Sequence, residues 1–311
     1  MNSGVAFVFP GQGSQSVGMG KALYEAYPQL KQVYDEASTV LGYDIGALCF
    51  SGPPETLNLT EHTQPALLVS SIAALTAFQP KIVPAVVAGH SLGEYTALVA
   101  AGGLTFHDAV GIVQKRGRYM SEAVAAGTGS VAALLGLAAE TVKEACREAA
   151  SAGVVQAANF NSPGQVVIAG EKAAVERAIE VAKSKGCKKA VLLPVSVPVH
   201  TPLMQKAADR LSRDLATISW SDLRVPLINN AEAKPIMKVG DIQTSLVRQL
   251  PSSVLWEDSV LAMGAMGVKT FVEIGPGAVL AGLIRRILPD VTTLNVNDPK
   301  SLEATRAAIG A

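Results

Sequence analysis

The sequence predicts an α/β protein: a large hydrolase-like domain with a parallel sheet, carrying an inserted ferredoxin-like (βαββαβ) subdomain. Three observations lead there. An apolar run at 5–9 passes directly into a glycine-rich turn, Gly11-Gln12-Gly13. A second run at 82–88 does the same at Gly89-His90-Ser91-Leu92-Gly93 and is followed by good helix formers, 94–101. Between 130 and 195 the periodicity reads strand, helix, strand, strand, helix, strand. The expected division is 1–126 with 197–311 for the large domain and 127–196 for the insert, joined near Gly127 and Ser196.

Composition narrows the function classes. Of 311 residues, 49% are hydrophobic, enough for a substantial core and too many for a disordered chain. Basic and acidic residues number 26 each, which argues against nucleic acid or an anionic membrane as the main partner. Cys49, Cys146 and Cys187 are odd in number and widely spaced, so neither a disulfide framework nor a metal site is suggested, and a reduced, cytoplasmic setting is expected. No apolar run approaches the roughly 18 residues that span a bilayer, so a soluble protein without a membrane partner is expected.

In chain order, the strand at 5–9 leads to Gln12. The loop lacks the third glycine of a dinucleotide fingerprint, having Ser16 instead. It either supplies donors for an oxyanion or is an ordinary glycine turn. Helices are expected over 21–41 with a break at Pro28, a loop over 51–60, and a helix over 66–78 preceded by Gln64, which is expected to face the cleft. The Gly-x-Ser-x-Gly turn is a nucleophile elbow, in which the small residues permit a tight strand-to-helix turn that pushes the Ser91 hydroxyl into open space. His90 should point to the other side of the turn.

Thr105 opens a helix over 109–124 on which Ala109, Ile112, Val113, Arg116 and Met120 share one apolar stripe. An arginine there needs a carboxylate, from the protein or from a ligand. Residues 159–165 read as a turn between strands, with Asn159 or Asn161 facing the cleft between the domains. His200, stiffened by Pro198 and Pro202, stands where the chain re-enters the large domain and could serve Ser91 as base. Helices over 203–218, 241–250 and 259–266, strands over 225–229 and 270–274, and a last helix over 278–288 complete the large domain.

Taken together, the blocks Phe9 to Gln15, Gly89 to Tyr95, Arg116-Gly117, Asn159-Phe160-Asn161, Val195 to His200 and Glu273 to Gly277 resemble the malonyl-CoA:acyl carrier protein transacylases of fatty acid synthesis. The resemblance implies Ser91 as nucleophile, His200 as base, Arg116 as the grip on the malonyl carboxylate, and Gln12 with the Leu92 N–H as oxyanion hole. It implies that the backbone carbonyl of Gln249 orients His200, and it leaves Asn161 and Gln64 as substrate-side residues. No metal or cofactor is implied. The partners would be malonyl-CoA and an acyl carrier protein, and the chain would act as a monomer. Loading enzymes of polyketide synthesis or malonate decarboxylase are related alternatives, and a serine thioesterase is an alternative of another class.

Overall fold

The computed structural model describes residues 4–195 and 197–310, so Ser196, expected at a domain joint, lies outside the described residues. Strand β1 (Val5–Phe9) leads through the Gln12 loop to helices α1 (Lys21–Ala26), α2 (Leu30–Leu41) and α3 (Ile45–Ser51), a single turn α4 (Pro54–Leu57), and the long α5 (Thr60–Phe78). Then come β2 (Val86–Gly89), α6 (Gly93–Ala101) and α7 (Phe106–Glu122). The middle third holds β3 (Gly129–Leu135), α8 (Ala139–Ala149), β4 (Val155–Ser162), β5 (Gln165–Glu171), α9 (Lys172–Ser184) and β6 (Lys189–Leu192). The chain ends with α10 (Gln205–Leu215), β7 (Leu227–Ile228), β8 (Pro235–Ile236), α11 (Val239–Gln249), β9 (Val254–Leu255), α12 (Trp256–Ala265), β10 (Thr270–Ile274), α13 (Val279–Ile287), β11 (Thr292–Val296) and α14 (Pro299–Ile309).

Two sheets result. The larger has the order β11-β10-β1-β2-β7-β8 and is parallel except for β8. It is buried on both faces, as parallel sheets are. On β1, Val5, Phe7 and Phe9 join the core under α2, α5 and α7, while Ala6 and Val8 face Trp256, Val260 and Ile284 of α12 and α13. Because these strands run the same way, the loops after β1, β2 and β7 emerge at one edge and bring Gln12, Ser91 and Asn230 together. The smaller sheet has the order β6-β3-β5-β4-β9. Its first four strands are antiparallel neighbours in the ferredoxin-like order, and they share a core with α8 and α9 around Val142, Ile168 and Ala178. The fifth, β9, comes from the C-terminal part of the chain and pairs in parallel with β4.

Several expectations are corrected. The loop over 51–60 is largely helical, because Pro54 sits in the first turn of α4, where its fixed φ and missing N–H suit a helix start, and α5 already begins at Thr60. Pro65 lies inside α5 and does not open it. Of the 82–88 run only the last three residues form strand, in β2 (Val86–Gly89). Residues 159–162 continue β4, with a bulge between Ala157 and Asn159, so the turn is confined to Pro163-Gly164. The helix at 279–287 is followed by a strand and a further helix, whose apolar residues are too sparse to announce them. Among the described residues no helix is long and apolar enough to cross a membrane.

Helix α7 crosses the first turn of α5 at Gly117, where a Cβ would lie 2.7 Å from Glu61 Cα and from the Thr60 carbonyl oxygen. That close approach seats the neighbouring Arg116 beside Gln64. Gly117→Ala is expected to cost about 1–3 kcal/mol through overpacking. Gly111→Ala, on the same helix, meets only Val40 at an ordinary 3.6 Å, and is expected to be neutral or stabilising by up to about 1 kcal/mol. Urea midpoints of the two variants should therefore move apart; a shared direction contradicts the close-packed crossing.

Candidate active site

The turn between β2 and α6 has the geometry of an elbow. Ser91 is held at φ 51°, a left-handed conformation uncommon for serine. A Cβ on Gly89 would run into the backbone of Gly93, and one on Gly93 into the carbonyl of Phe9, so β1, β2 and the start of α6 are packed main chain to main chain. Ser91 Oγ lies 2.8 Å from His200 Nε2. His200 also has positive φ, 58°, and its carbonyl accepts from Gln156 Nε2 at 2.6 Å. Its Nδ1 donates to the Gln249 carbonyl at 3.0 Å, which leaves Nε2 free to accept the serine proton. Burial, and after it the charge of Arg116, pushes the His200 imidazole down to about 3, so it is neutral at physiological pH.

Arg116 is only 1% exposed. Its Nη1 donates to Gln64 Oε1 at 2.7 Å, and its Nη2 donates to Gln249 Oε1 at 2.9 Å and to Ser91 Oγ at 3.2 Å, with the Tyr95 ring 5.4 Å from its Cζ. Among the described residues no carboxylate forms an ion pair with it. One acid, Glu94, is reached through an amide: Gln249 Nε2 donates to Glu94 Oε2 at 2.8 Å and to the Ser91 carbonyl at 3.0 Å. Burial pushes the Glu94 carboxyl up to about 7, opposed by donors from Gln249, the Asn230 backbone and Ser245.

A cavity of about 230 Å³ lies between the two sheets, bounded by Gln12, Ser91, Met120, Asn161, Val199 and His200. A second, of about 300 Å³, shares Gln12 and Val195 with it and continues toward Ser121 on α7 and Val124 just beyond that helix. The sequence-selected residues Ser91, His200, Gln12, Asn161, Arg116, Gln64 and Gln249 thus converge, with two differences. Gln64, Arg116 and Gln249 are absent from the cavity wall and lie behind Ser91 and His200, and Gln64 holds Arg116. Gln249 contributes its side chain as well as its carbonyl, so it contacts the serine, the arginine and the histidine at once. Leu92 buries its side chain in the core, and its N–H donates to no group among the described residues. His90 is on the cavity wall, where its Nε2 meets Asn161 Oδ1 at 2.9 Å, rather than on the far side of the turn. Nothing in the sequence marks Glu94 or Asn230 as part of the site. Glu94 sits inside the elbow motif and looked like an ordinary helix residue, and Asn230 follows a strand only two residues long.

Residues 6–302 match the family described as acyl transferase domain. The chain belongs to that family. A malonyl CoA-acyl carrier protein transacylase of Escherichia coli (strain K12) is 50% identical over 301 residues, covering 96% of this chain and 97% of the relative. A crystal structure of an acyl carrier protein S-malonyltransferase from Vibrio cholerae superposes with a TM-score of 0.94 at 50% identity, covering 97% and 99% of the two chains. A malonyl-transacylase solved in complex with its type II PKS acyl-carrier protein superposes with a TM-score of 0.96 at 47% identity, covering 98% and 99%. The acyl transferase fold and the elbow, histidine and arginine geometry therefore stand together over nearly the whole chain.

The depressed proton affinity of His200 has a consequence for stability. Its folded value, about 3, lies below the ordinary 6.5, so between these the unfolded chain binds a proton that the folded one does not, and stability falls as pH drops through that window. The loss attributable to this site is about 1.4 kcal/mol per pH unit. His200→Gln removes it, so the stability of that variant relative to the parent should rise as pH falls from 6.5 to 5. Urea unfolding at pH 7, 6 and 5 checks this; a difference constant with pH contradicts a histidine buried neutral.

Proposed function

We propose that the protein transfers the malonyl group from malonyl-CoA to the phosphopantetheine thiol of an acyl carrier protein, through a malonyl ester on Ser91. One observation carries the reading. A buried guanidinium with no carboxylate partner among the described residues touches the oxygen on which the acyl group would form. Such a cation is costly to bury unpaired, and the free carboxylate of a malonyl ester on Ser91 would meet it in the bidentate geometry that arginine favours. The names of the E. coli and V. cholerae relatives agree with this substrate.

In the first half-reaction, Ser91 Oγ attacks the thioester carbonyl while His200 Nε2 takes its proton. The resulting oxyanion would be held by the Leu92 N–H and by Gln12. The C–S bond then breaks, and His200 returns the proton to the departing CoA thiolate. The second half-reaction mirrors the first, with the carrier thiol as nucleophile and Ser91 as leaving group. The carboxylate on Arg116 also offsets the positive charge that depresses His200, so the base is strengthened when the acidic acyl group is present. This exchange balances without a redox or metal step, and no resident cofactor is proposed. The joined cavities past Gln12 would take the pantetheine arm. We read residues 127–196 as an inserted subdomain whose cleft with the remainder is the substrate site, and the protein as a cytoplasmic monomer.

A type II polyketide carrier is a second acceptor consistent with the relative solved in complex with such a carrier; the chemistry is the same.

After incubation with malonyl-CoA, intact mass should show one malonyl adduct on the parent and none on Ser91→Ala, and an adduct persisting in that variant removes Ser91 from the reaction. Arg116→Ala is expected to lower malonyl transfer by about 100-fold, the scale of one lost charge-assisted pairing in the transition state, while acetyl transfer holds or rises. Equal losses with malonyl and acetyl donors would refute the carboxylate grip.

A further inference from the structure

Asn230 is fully buried and belongs to none of the roles assigned above, yet its side chain grips the elbow from both sides. Its Oδ1 accepts from the Ser91 N–H at 2.6 Å and its Nδ2 donates to the Gly89 carbonyl at 2.7 Å. The reason lies in the sheet. β7 pairs in parallel with β2 through Val87 with Leu227 and Ala88 with Ile228, and there the main-chain ladder stops, because β2 turns into the elbow. Two residues on, the Asn230 carboxamide presents one donor and one acceptor to the strand opposite, as a peptide group would, and so carries the pairing through the turn. Asn230 is fixed in its turn: its backbone N–H donates to Glu94 Oε2 at 3.0 Å, and its Oδ1 receives Gln249 Nε2 at 3.3 Å.

We infer that Asn230 is a positioning residue for the nucleophile: its carboxamide holds Ser91 in the left-handed conformation that aims Oγ at His200, and Glu94 holds Asn230. The inference concerns the acyl transfer proposed above and rests on that reading for its substrate, though not for its geometry. By occupying the Ser91 N–H, Asn230 also leaves the Leu92 N–H as the elbow donor available to an oxyanion. A substitution at 230 should slow bond formation at Ser91 and leave substrate affinity nearly intact, because the Asn230 carboxamide bonds to the main chain of the elbow and to Gln249 and to no side chain that lines the cavity.

The test uses Asn230→Asp, which keeps shape and acceptor but replaces the donor, and Asn230→Ala, which removes both. Acylation of Ser91 is followed by rapid quench and intact mass, once with malonyl-CoA and once with phenylmethylsulfonyl fluoride, which needs no malonyl recognition. Expected is a fall of about 100-fold in the rate of adduct formation with both reagents, the scale of an ångström-sized misplacement, with the half-saturating malonyl-CoA concentration within about threefold of the parent. In Asn230→Asp the introduced carboxyl faces the Gly89 carbonyl and Glu94, with Arg116, His200 and His90 the other charged or titratable groups of the site. As pH falls it takes up a proton and regains a donor, so the ratio of variant to parent rate should climb. Parent-like labelling of a folded variant, a loss confined to half-saturation, or a ratio flat with pH each overturns the inference. Labelling of the parent by the sulfonyl fluoride but not by malonyl-CoA would instead overturn the proposed substrate and leave the Asn230 comparison in force.

Discussion

A single buried cation constrains the rest of the site. The Arg116 guanidinium is removed from water without an ion-pair partner among the described residues, and it is held by two neutral carboxamides, Gln64 and Gln249. Amide oxygens satisfy hydrogen bonds but not charge, so the centre keeps an appetite for an anion. Everything else is arranged to sustain that state. Gly117 lets α7 press onto α5 so that Gln64 reaches the guanidinium, while Gln249 sets Glu94 one amide away, close enough to act on the charge and too indirect to quench it. The same charge, together with burial, keeps His200 unprotonated.

The second organising element is main-chain packing at the edge of the parallel sheet. β1, the elbow and the start of α6 approach so closely that Gly89 and Gly93 admit no side chain. This rigidity sets the hydroxyl 2.8 Å from the imidazole. A strained serine and a strained histidine face each other, each held by a side-chain amide from another element, Asn230 and Gln156 respectively.

Local signals in the sequence account for much of this and fail at identifiable points. The elbow was legible because its glycines and flanking periodicities are contiguous, and Arg116 because a cation on an apolar stripe is an anomaly at short range. The ferredoxin-like order of the small sheet was legible from six periodic segments in succession. By contrast, of the strand expected over 225–229 only Leu227–Ile228 forms, and β8 and β9, also two residues each, are below the length at which alternation has meaning. Their effect on the site arises from register with distant strands, so Asn230 and Glu94 carried no mark. Asn159 and Asn161 misled because polar residues on a strand facing a cavity resemble a loop. The proximity of Gln249 to His200 came from the family resemblance alone, and the work done by its carboxamide from neither resemblance nor pattern.

Strand β9 joins these parts mechanically. It lies five residues after Gln249, pairs with Asn159 and Phe160 on β4, and donates from the Leu255 N–H to the Asn230 carbonyl, while Ser253 Oγ donates to the Ala157 carbonyl at 2.6 Å. A single short tether therefore runs from the peptide that steers the imidazole to the wall across the cleft. On the acyl transfer proposed above, any widening of that gap to admit a carrier arm would tug on the histidine's support and so would tie entry of the second thiol to the alignment of the imidazole.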